Sequence, residues 1–333
     1  MRSRFGHYPL AQRRQAIATA PNLERSPFLD PGSRPLDPAK FRDPLLTAKG
    51  EKRASVALGG LETLWINTGT LCNLTCKSCY IESSPTNDAL VYPTVAEVEP
   101  YLDEALALGA REIGFTGGEP FMNREILPML HAALGRGFDV LVLTNAMRPM
   151  RRFEEPLLAI PPCDRARTTL RVSLDHFTPA LHEAERGLGT WAPALDGLRW
   201  LAGAGFRVAV AGRMLGDEIR ARRGYARLFD EIGVAVDHLV LFPAMDAEAD
   251  VPEISEACWE LLGVSPSAPM CASSRMVVKA KGAARPHVVA CTLIPHDERF
   301  ALGERLAEAG GPIALNHPHC ARFCVLGGAR CSA

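Results

Sequence analysis

The sequence predicts an α/β fold: a partial (β/α)6 barrel over residues 59–263, with an extension over 1–58 before it and a small β-hairpin and loop domain over 264–333 after it. Three observations predict it. The chain has 333 residues, enough for one α/β barrel with additions or roughly two domains. From "LETLWINTG" onward, short apolar runs alternate with longer helical patterns, the rhythm of parallel strands with covering helices. After about residue 265 that rhythm stops, and "SSRMVVKAKGAARPHVVACTL" reads as two strands about a Gly-containing turn.

Residues 1–58 are rich in Pro and Arg and carry only short apolar pieces such as "SPFLDPGSRPLDP", which suits an extended segment wrapped over the body, or a disordered tail. Six strands follow, over 61–68, 111–116, 138–144, 168–174, 206–212 and 237–242. Each is apolar at successive positions, as expected of a strand with helices on one side and a packed interior on the other. Helical patterns fall at 94–108, with Thr94 as N-cap, and at 122–135, 151–159, 190–204, 217–232 and 253–263. The tail "NHPHCARFCVLGGARCSA" reads as loop.

Composition narrows the function classes. Lys and Arg number 37 against 38 Asp and Glu, a formal charge of -1, so no global field attracts nucleic acid or anionic lipid. No apolar run reaches the roughly 18 to 20 residues of a spanning helix. "MRSRFGHYPLAQRRQAIATA" is charged where a secretory signal needs its apolar stretch, so a cytoplasmic location is expected. Ten cysteines in such a chain are poorly explained as disulfides, because cytosolic thiols are kept reduced. Their clustering points to metal. Cys163 and Cys258 stand apart and are expected as buried small hydrophobes.

The densest cluster, "LCNLTCKSCY", spaces Cys72, Cys76 and Cys79 as C-x3-C-x2-C directly after the first strand, at the barrel end where such folds place their chemistry. Zinc modules usually supply four ligands from paired knuckles. Three thiolates with no local fourth ligand suit a 4Fe-4S cube with one iron open to another molecule, while zinc and plain packing remain alternatives. About 40 residues on, "FTGGEP" ends the second strand. Gly117 and Gly118 permit close backbone approach, and Glu119 offers an acceptor to a protonated amine. An ordinary turn would carry the same residues.

"CNLTCKSCY" closely resembles the signature of the radical S-adenosylmethionine (SAM) superfamily. The resemblance implies that Cys72, Cys76 and Cys79 bind a 4Fe-4S cluster whose fourth iron SAM chelates through its amino and carboxylate groups. It implies further that Gly117, Gly118, Glu119 and Pro120 form the segment meeting the SAM amino group, and that Asn145 in "LTNAM" with Ser173 and Asp175 in "RVSLDHF" line SAM at strand ends. Arg186 in "ERG" would pair with the SAM carboxylate, which suits a bidentate guanidinium, and Tyr80 would pack near adenine or sit in the core. Arg213 and Phe242 are expected at the barrel mouth, and His176 as a substrate-side acid or base.

The later cysteines, Cys271 and Cys291 around the hairpin and Cys320, Cys324 and Cys331 in the tail, resemble the SPASM/twitch extension of radical SAM enzymes. The C-x3-C-x6-C tail departs from the tighter two-cluster pattern. Five cysteines cannot fill two four-cysteine sites, so one auxiliary 4Fe-4S cluster is expected, with a zinc-bound tail as the alternative. His317 and His319 could ligate metal, lie near substrate or cap the loop, and "RARRGYAR" reads as a solvated helix face.

The family implies an oxidoreductase or radical-based transferase that cleaves SAM to a 5'-deoxyadenosyl radical and takes hydrogen from a small-molecule or peptide substrate, supplied with electrons by a flavodoxin or ferredoxin. The competing class is a non-catalytic iron-sulfur electron carrier or zinc-structural protein, which would need neither Glu119, Ser173 nor Arg186.

Overall fold

A computed structural model describes residues 25–30, 32–243, 246 and 248–328. Six parallel strands run in chain order, β2 (Thr63–Asn67), β3 (Glu112–Thr116), β4 (Asp139–Thr144), β5 (Thr168–Ser173), β6 (Arg207–Arg213) and β7 (His238–Phe242), each hydrogen-bonded to the next. All six lie within a residue or two of the expected positions. Helices α1 (Val95–Ala107), α2 (Ile126–Gly135), α7 (Trp191–Gly203) and α8 (Glu218–Ile232) connect them, with the short α3 (Arg148–Arg151), α4 (Glu154–Leu158), α5 (Pro162–Arg165) and α6 (Pro179–Arg186) between.

Local chemistry explains the helix ends. Thr94 and Glu97 exchange hydrogen bonds as a capping box at the start of α1. Asp217 caps α8, and Gly233 closes it at φ 68°. The expected helix 151–159 is split in two around Phe153, and the expected 122–135 begins as a 3-10 turn at Pro120–Met122 before α2. α6 falls where the sequence reading has no helix. Its eight residues are too short for a clear apolar stripe, and it is bounded by Pro179 at its first position and Gly187 at φ 108°.

The hairpin extends the same sheet. β8 (Ser274–Val278) pairs parallel with β2, while β9 (His287–Val289) and β10 (Ala301–Gly303) follow antiparallel. The order is therefore β10-β9-β8-β2-β3-β4-β5-β6-β7, with β7 and β10 at its two ends.

Residues 25–30 and 32–58 lie against this body as turns and isolated bridges, among them Pro35 with Ala249 and Arg53 with Ser255. β1 (Ser55–Val56) pairs with β11 (Ile313–Ala314), and the fully buried Arg53 side chain meets Glu253 at 2.5 Å, with the Asp43 and Leu46 carbonyls accepting from it. A helix α9 (Ala257–Leu262) follows that glutamate.

Strand alternation divides the core. Leu64 and Ile66 face the helices with Ile113, Phe115, Val140 and Leu102. Trp65, one residue out of phase, packs with Leu141, Met276, Val278 and Val289 on the inner side. Gly114 makes room for it, since a Cβ there would lie 2.4 Å from the Trp65 ring. Gly114→Ala is expected to destabilise by about 1–3 kcal/mol in urea unfolding. Gly203→Ala, at the end of α7 with open space around it, should be neutral or slightly stabilising in the same assay.

Candidate active site

The loop after β2 is tied down before it presents its cysteines. Gly69 N–H donates to the Asn67 side chain, Thr70 N–H to the Leu90 carbonyl, and Cys72 N–H to the Ser84 carbonyl at 3.0 Å. Cys72 Sγ accepts from Leu74 N–H and Cys79 Sγ from Ser83 N–H. Cys72, Cys76 and Cys79 all line one cavity of about 170 Å³ at the C-terminal ends of the parallel strands. Burial pushes the Cys72 thiol up to about 12 and the Cys76 thiol to about 11, so the protein alone keeps both neutral. Such thiols become thiolates when a cationic centre compensates them. Among the described residues, no three His, Cys, Asp or Glu side chains converge tightly enough to hold a single metal ion. Three thiols that line one cavity would suit an iron-sulfur cluster.

Gly117 and Gly118 let the end of β3 reach this loop. A Cβ on Gly118 would lie 2.2 Å from the Leu71 carbonyl oxygen, and one on Gly117 2.6 Å from that of Gly69. The close approach permits Gly118 N–H to donate to the Gly69 carbonyl and Glu119 N–H to that of Leu71. Gly117, Gly118, Tyr80, Asn145, Ser173, Asp175 and Arg186 line the cavity, as do Arg213 and Phe242. Asn145 also donates through Nδ2 to Asn73 Oδ1 at 2.9 Å, linking β4 to the cysteine loop.

Three expected residues lie elsewhere. The Glu119 side chain turns behind the cavity wall and accepts from Asn145 N–H and the Thr144 hydroxyl, each at 2.8 Å. Its place is to brace the end of β4, and the carboxylate is not among the lining groups. Pro120 is buried at the start of the 3-10 turn. His176, expected as an acid or base beside substrate, does not line the cavity: its ring stacks on Phe177 at 4.0 Å, and its Nδ1 accepts from Thr178 N–H. Ser173 and Asp175 face inward, so the next residue after Asp175 points out.

The cavity's charge is organised around Asp175. Its carboxylate meets Arg186 Nε at 2.5 Å and Arg213 Nε at 3.0 Å. Burial opposes its ionisation, but the two guanidinium groups hold it below its ordinary value. Arg186 stays charged, because Asp175 outweighs the effect of its burial. Arg186 makes this bond through Nε, and among the described residues no hydrogen bond is made by its terminal nitrogens, which suit a second carboxylate. Arg171, in the middle of β5, also lines the cavity. Sequence reading missed it because a mid-strand arginine carries no motif.

A second, much smaller cavity of about 20 Å³ is lined by Cys271, Cys291, Cys320 and Cys324 together, and by His319. Antiparallel pairing of β8 and β9 brings Cys271, just ahead of β8, near Cys291, just past β9, and a π-helical turn at Cys320–Val325 supplies the remaining two. Burial pushes Cys271 up to about 11, and raises Cys291 and Cys320 well above the ordinary thiol value. Cys331 lies outside the described residues. The rings of His317 and His319 lie 4.5 Å apart, tilted by 60° to one another. Cys163 is exposed on α5 and Cys258 half-buried, so neither is the fully buried hydrophobe expected. Leu293 lines both cavities.

Residues 66–219 match the model of the Radical SAM superfamily. AdoMet-dependent heme synthase of Nitratidesulfovibrio vulgaris is 25% identical over 185 residues, covering 51% of this chain and 45% of that protein. The antilisterial bacteriocin subtilosin biosynthesis protein AlbA of Bacillus subtilis is 30% identical over 141 residues, covering 42% of this chain and 30% of that protein. The chain thus spans less than half the length of these relatives. Among solved structures, SuiB of Streptococcus suis bound to precursor peptide SuiA superposes with a TM-score of 0.57 at 13% identity, covering 77% of this chain and 66% of that one. The likeness extends to the fold.

Burial pushes the Glu119 carboxyl up to about 7, against its hydrogen bonds from Asn145 and Thr144. A raised acid binds a proton more tightly in the folded state than in the unfolded one. Its stabilising contribution is therefore complete below the unfolded value, near 4.5, and is lost as pH rises through about 7. The difference in melting temperature between wild type and Glu119→Gln should move against the wild type as pH rises from about 5 to about 8. A difference that stays flat over that range would show that Glu119 does not titrate there.

Proposed function

We propose, for a chain whose residues 66–219 form a radical SAM domain, that the protein is an iron-sulfur enzyme that reductively cleaves SAM and takes hydrogen from a small-molecule or peptide substrate. The observation that carries this reading is a single cavity lined at once by three thiols, two close-packed glycines, Asn145, Ser173 and Arg186. An electron carrier needs the thiols alone. When bound, the cluster and SAM supply a 5'-deoxyadenosyl radical that takes a hydrogen atom from substrate.

The protein's own residues do the holding. Cys72, Cys76 and Cys79 would ligate three irons. The backbone at Gly117 and Gly118 would receive the SAM amino group, and the free end of Arg186 its carboxylate, with Asn145 and Ser173 along the methionine and ribose. Tyr80 and Phe242 offer aromatic surface in the same cavity. Glu119 acts through Asn145 and is a positioning residue. His176, outside the cavity, is set aside as an acid or base.

Residues 264–333 are proposed as the auxiliary unit, with Cys271, Cys291, Cys320 and Cys324 holding one 4Fe-4S cluster. Four thiolates complete that ligand set, which favours electron acceptance over direct binding of substrate. Both substrate classes have support among the relatives, one being a heme synthase and another a bacteriocin biosynthesis protein. Reduced cysteines and a flavodoxin- or ferredoxin-type donor suit the cytoplasm. Among the described residues, no helix is long and apolar enough to cross a membrane.

Anaerobic reconstitution should load about eight irons per chain, and reduction with SAM should release 5'-deoxyadenosine. Replacing Cys72, Cys76 and Cys79 by Ala should remove about four irons and all SAM cleavage. Cys271→Ala should spare SAM cleavage while abolishing substrate turnover. A reconstituted protein that cleaves no SAM overturns the reading.

A further inference from the structure

The buried Glu185 has no part in the mechanism so far, yet it holds the loop on which the mechanism depends. It lies on the last turn of α6, with 1% of its surface exposed. Oε1 accepts from Ser78 N–H at 2.7 Å and from the Ser78 hydroxyl, and the Glu185 carbonyl accepts from Lys77 N–H at 3.0 Å. Lys77 and Ser78 are the two residues between Cys76 and Cys79. The other carboxylate oxygen, Oε2, accepts from the hydroxyl of Ser26 at 2.5 Å, a residue 159 positions earlier in the chain.

Ser26 is itself fixed. It is 5% exposed, and Phe28 beside it is 2% exposed and packs 6.3 Å from the His176 ring. Arg25 and Ser33 both bond Asp246 beyond β7. Residues 25–30 and 32–33 are therefore tied both to α6 and to Asp246 beyond β7. Arg213 also donates to the Ser78 carbonyl at 3.3 Å, so both backbone polar groups of Ser78 are held.

We propose that Glu185 is the positioning residue for the loop carrying Cys76 and Cys79, and that Ser26 of the N-terminal segment sets Glu185. The inference rests on reading those cysteines as cluster ligands. Glu185 and Arg186 are neighbours near the end of one helix, about 100° apart around its axis. One grips the cysteine loop and the other faces the cavity. A single rigid turn thus fixes the offset between the cluster and the group that would hold the SAM carboxylate. A carboxylate suits the task because one side chain can accept three donors at once, which a Gln at this position cannot. The N-terminal segment becomes part of the active site without touching the cavity.

Hydrogen exchange on the metal-free full-length chain tests this directly. Ser26→Ala, a mild change far from the loop in sequence, should speed exchange of the Lys77 and Ser78 amides several-fold while β4 keeps its protection. Glu185→Ala should speed them more, and Glu185→Asp should restore part of the protection. In the iron-loaded protein, Ser26→Ala should also hasten iron loss to a chelator and shift the cluster's midpoint potential. Wild-type exchange at Lys77 and Ser78 in Ser26→Ala overturns the proposal. Loosened amides in a protein that takes up no iron at the first site would instead overturn the cluster reading and leave the loop's dependence on Ser26 standing.

Discussion

The site depends on one buried carboxylate, Asp175, held between Arg186 and Arg213. It stands at the end of β5, where it can join α6 to the end of β6, and Arg213 carries the connection on to the Ser78 carbonyl in the cysteine loop. Breaking a buried pair of this kind by removing one partner typically costs about 3–5 kcal/mol, because the other charge is left uncompensated. Here the two arginines outnumber the acid. On the proposed reading, the excess positive charge favours thiolates bound to a cluster and the carboxylate of SAM. The same contacts that stabilise the barrel mouth therefore set its electrostatic preference.

The barrel was legible because strand and helix periods differ so clearly in this chain, and because most of the parallel strands carry apolar residues at successive positions. The candidate site was legible where its residues belong to compact motifs: Cys72, Cys76, Cys79, Gly117, Gly118, Asn145, Ser173, Asp175 and Arg186 face one cavity. Other features were hidden for physical reasons. Side-chain direction at a strand exit decides the fate of His176, which points away from the face that Ser173 and Asp175 share and meets Phe177. Glu119 sits in a motif that names its position but not its orientation, which its bonds to Thr144 and Asn145 determine.

Long-range partnerships were the least readable. Glu185 finds Ser26 across 159 positions, and Arg53 finds Glu253 across 200. Neither pair has a sequence signature, and both attach the N-terminal segment to the body. Arg171 lies in the middle of β5 with apolar neighbours on either side, where an arginine looks like an interruption and not like a cavity wall. The hairpin's chain reversal could be read from its turn, but its pairing with β2 could not, since a free edge is a property of the assembled sheet.

That pairing bears on how the two cysteine sites relate. β8 fixes Cys271 through the frame of β2, and β9 returns the chain so that Cys291 joins it. The next two residues, Thr292 and Leu293, then line the larger cavity. A group that would hold the second cluster and a wall of the first site are thus two residues apart on one strand exit. His296 continues the crossing, with Nε2 3.4 Å from the Ile81 carbonyl in the cysteine loop. On the proposed reading, Leu293 separates a substrate from the auxiliary cluster by one side chain. Such a wall lets an electron pass, since tunnelling needs proximity and not an opening, while it denies the substrate a metal-ligand bond. Shape at Leu293 and a complete set of four thiols argue independently for the same division of labour between the two sites.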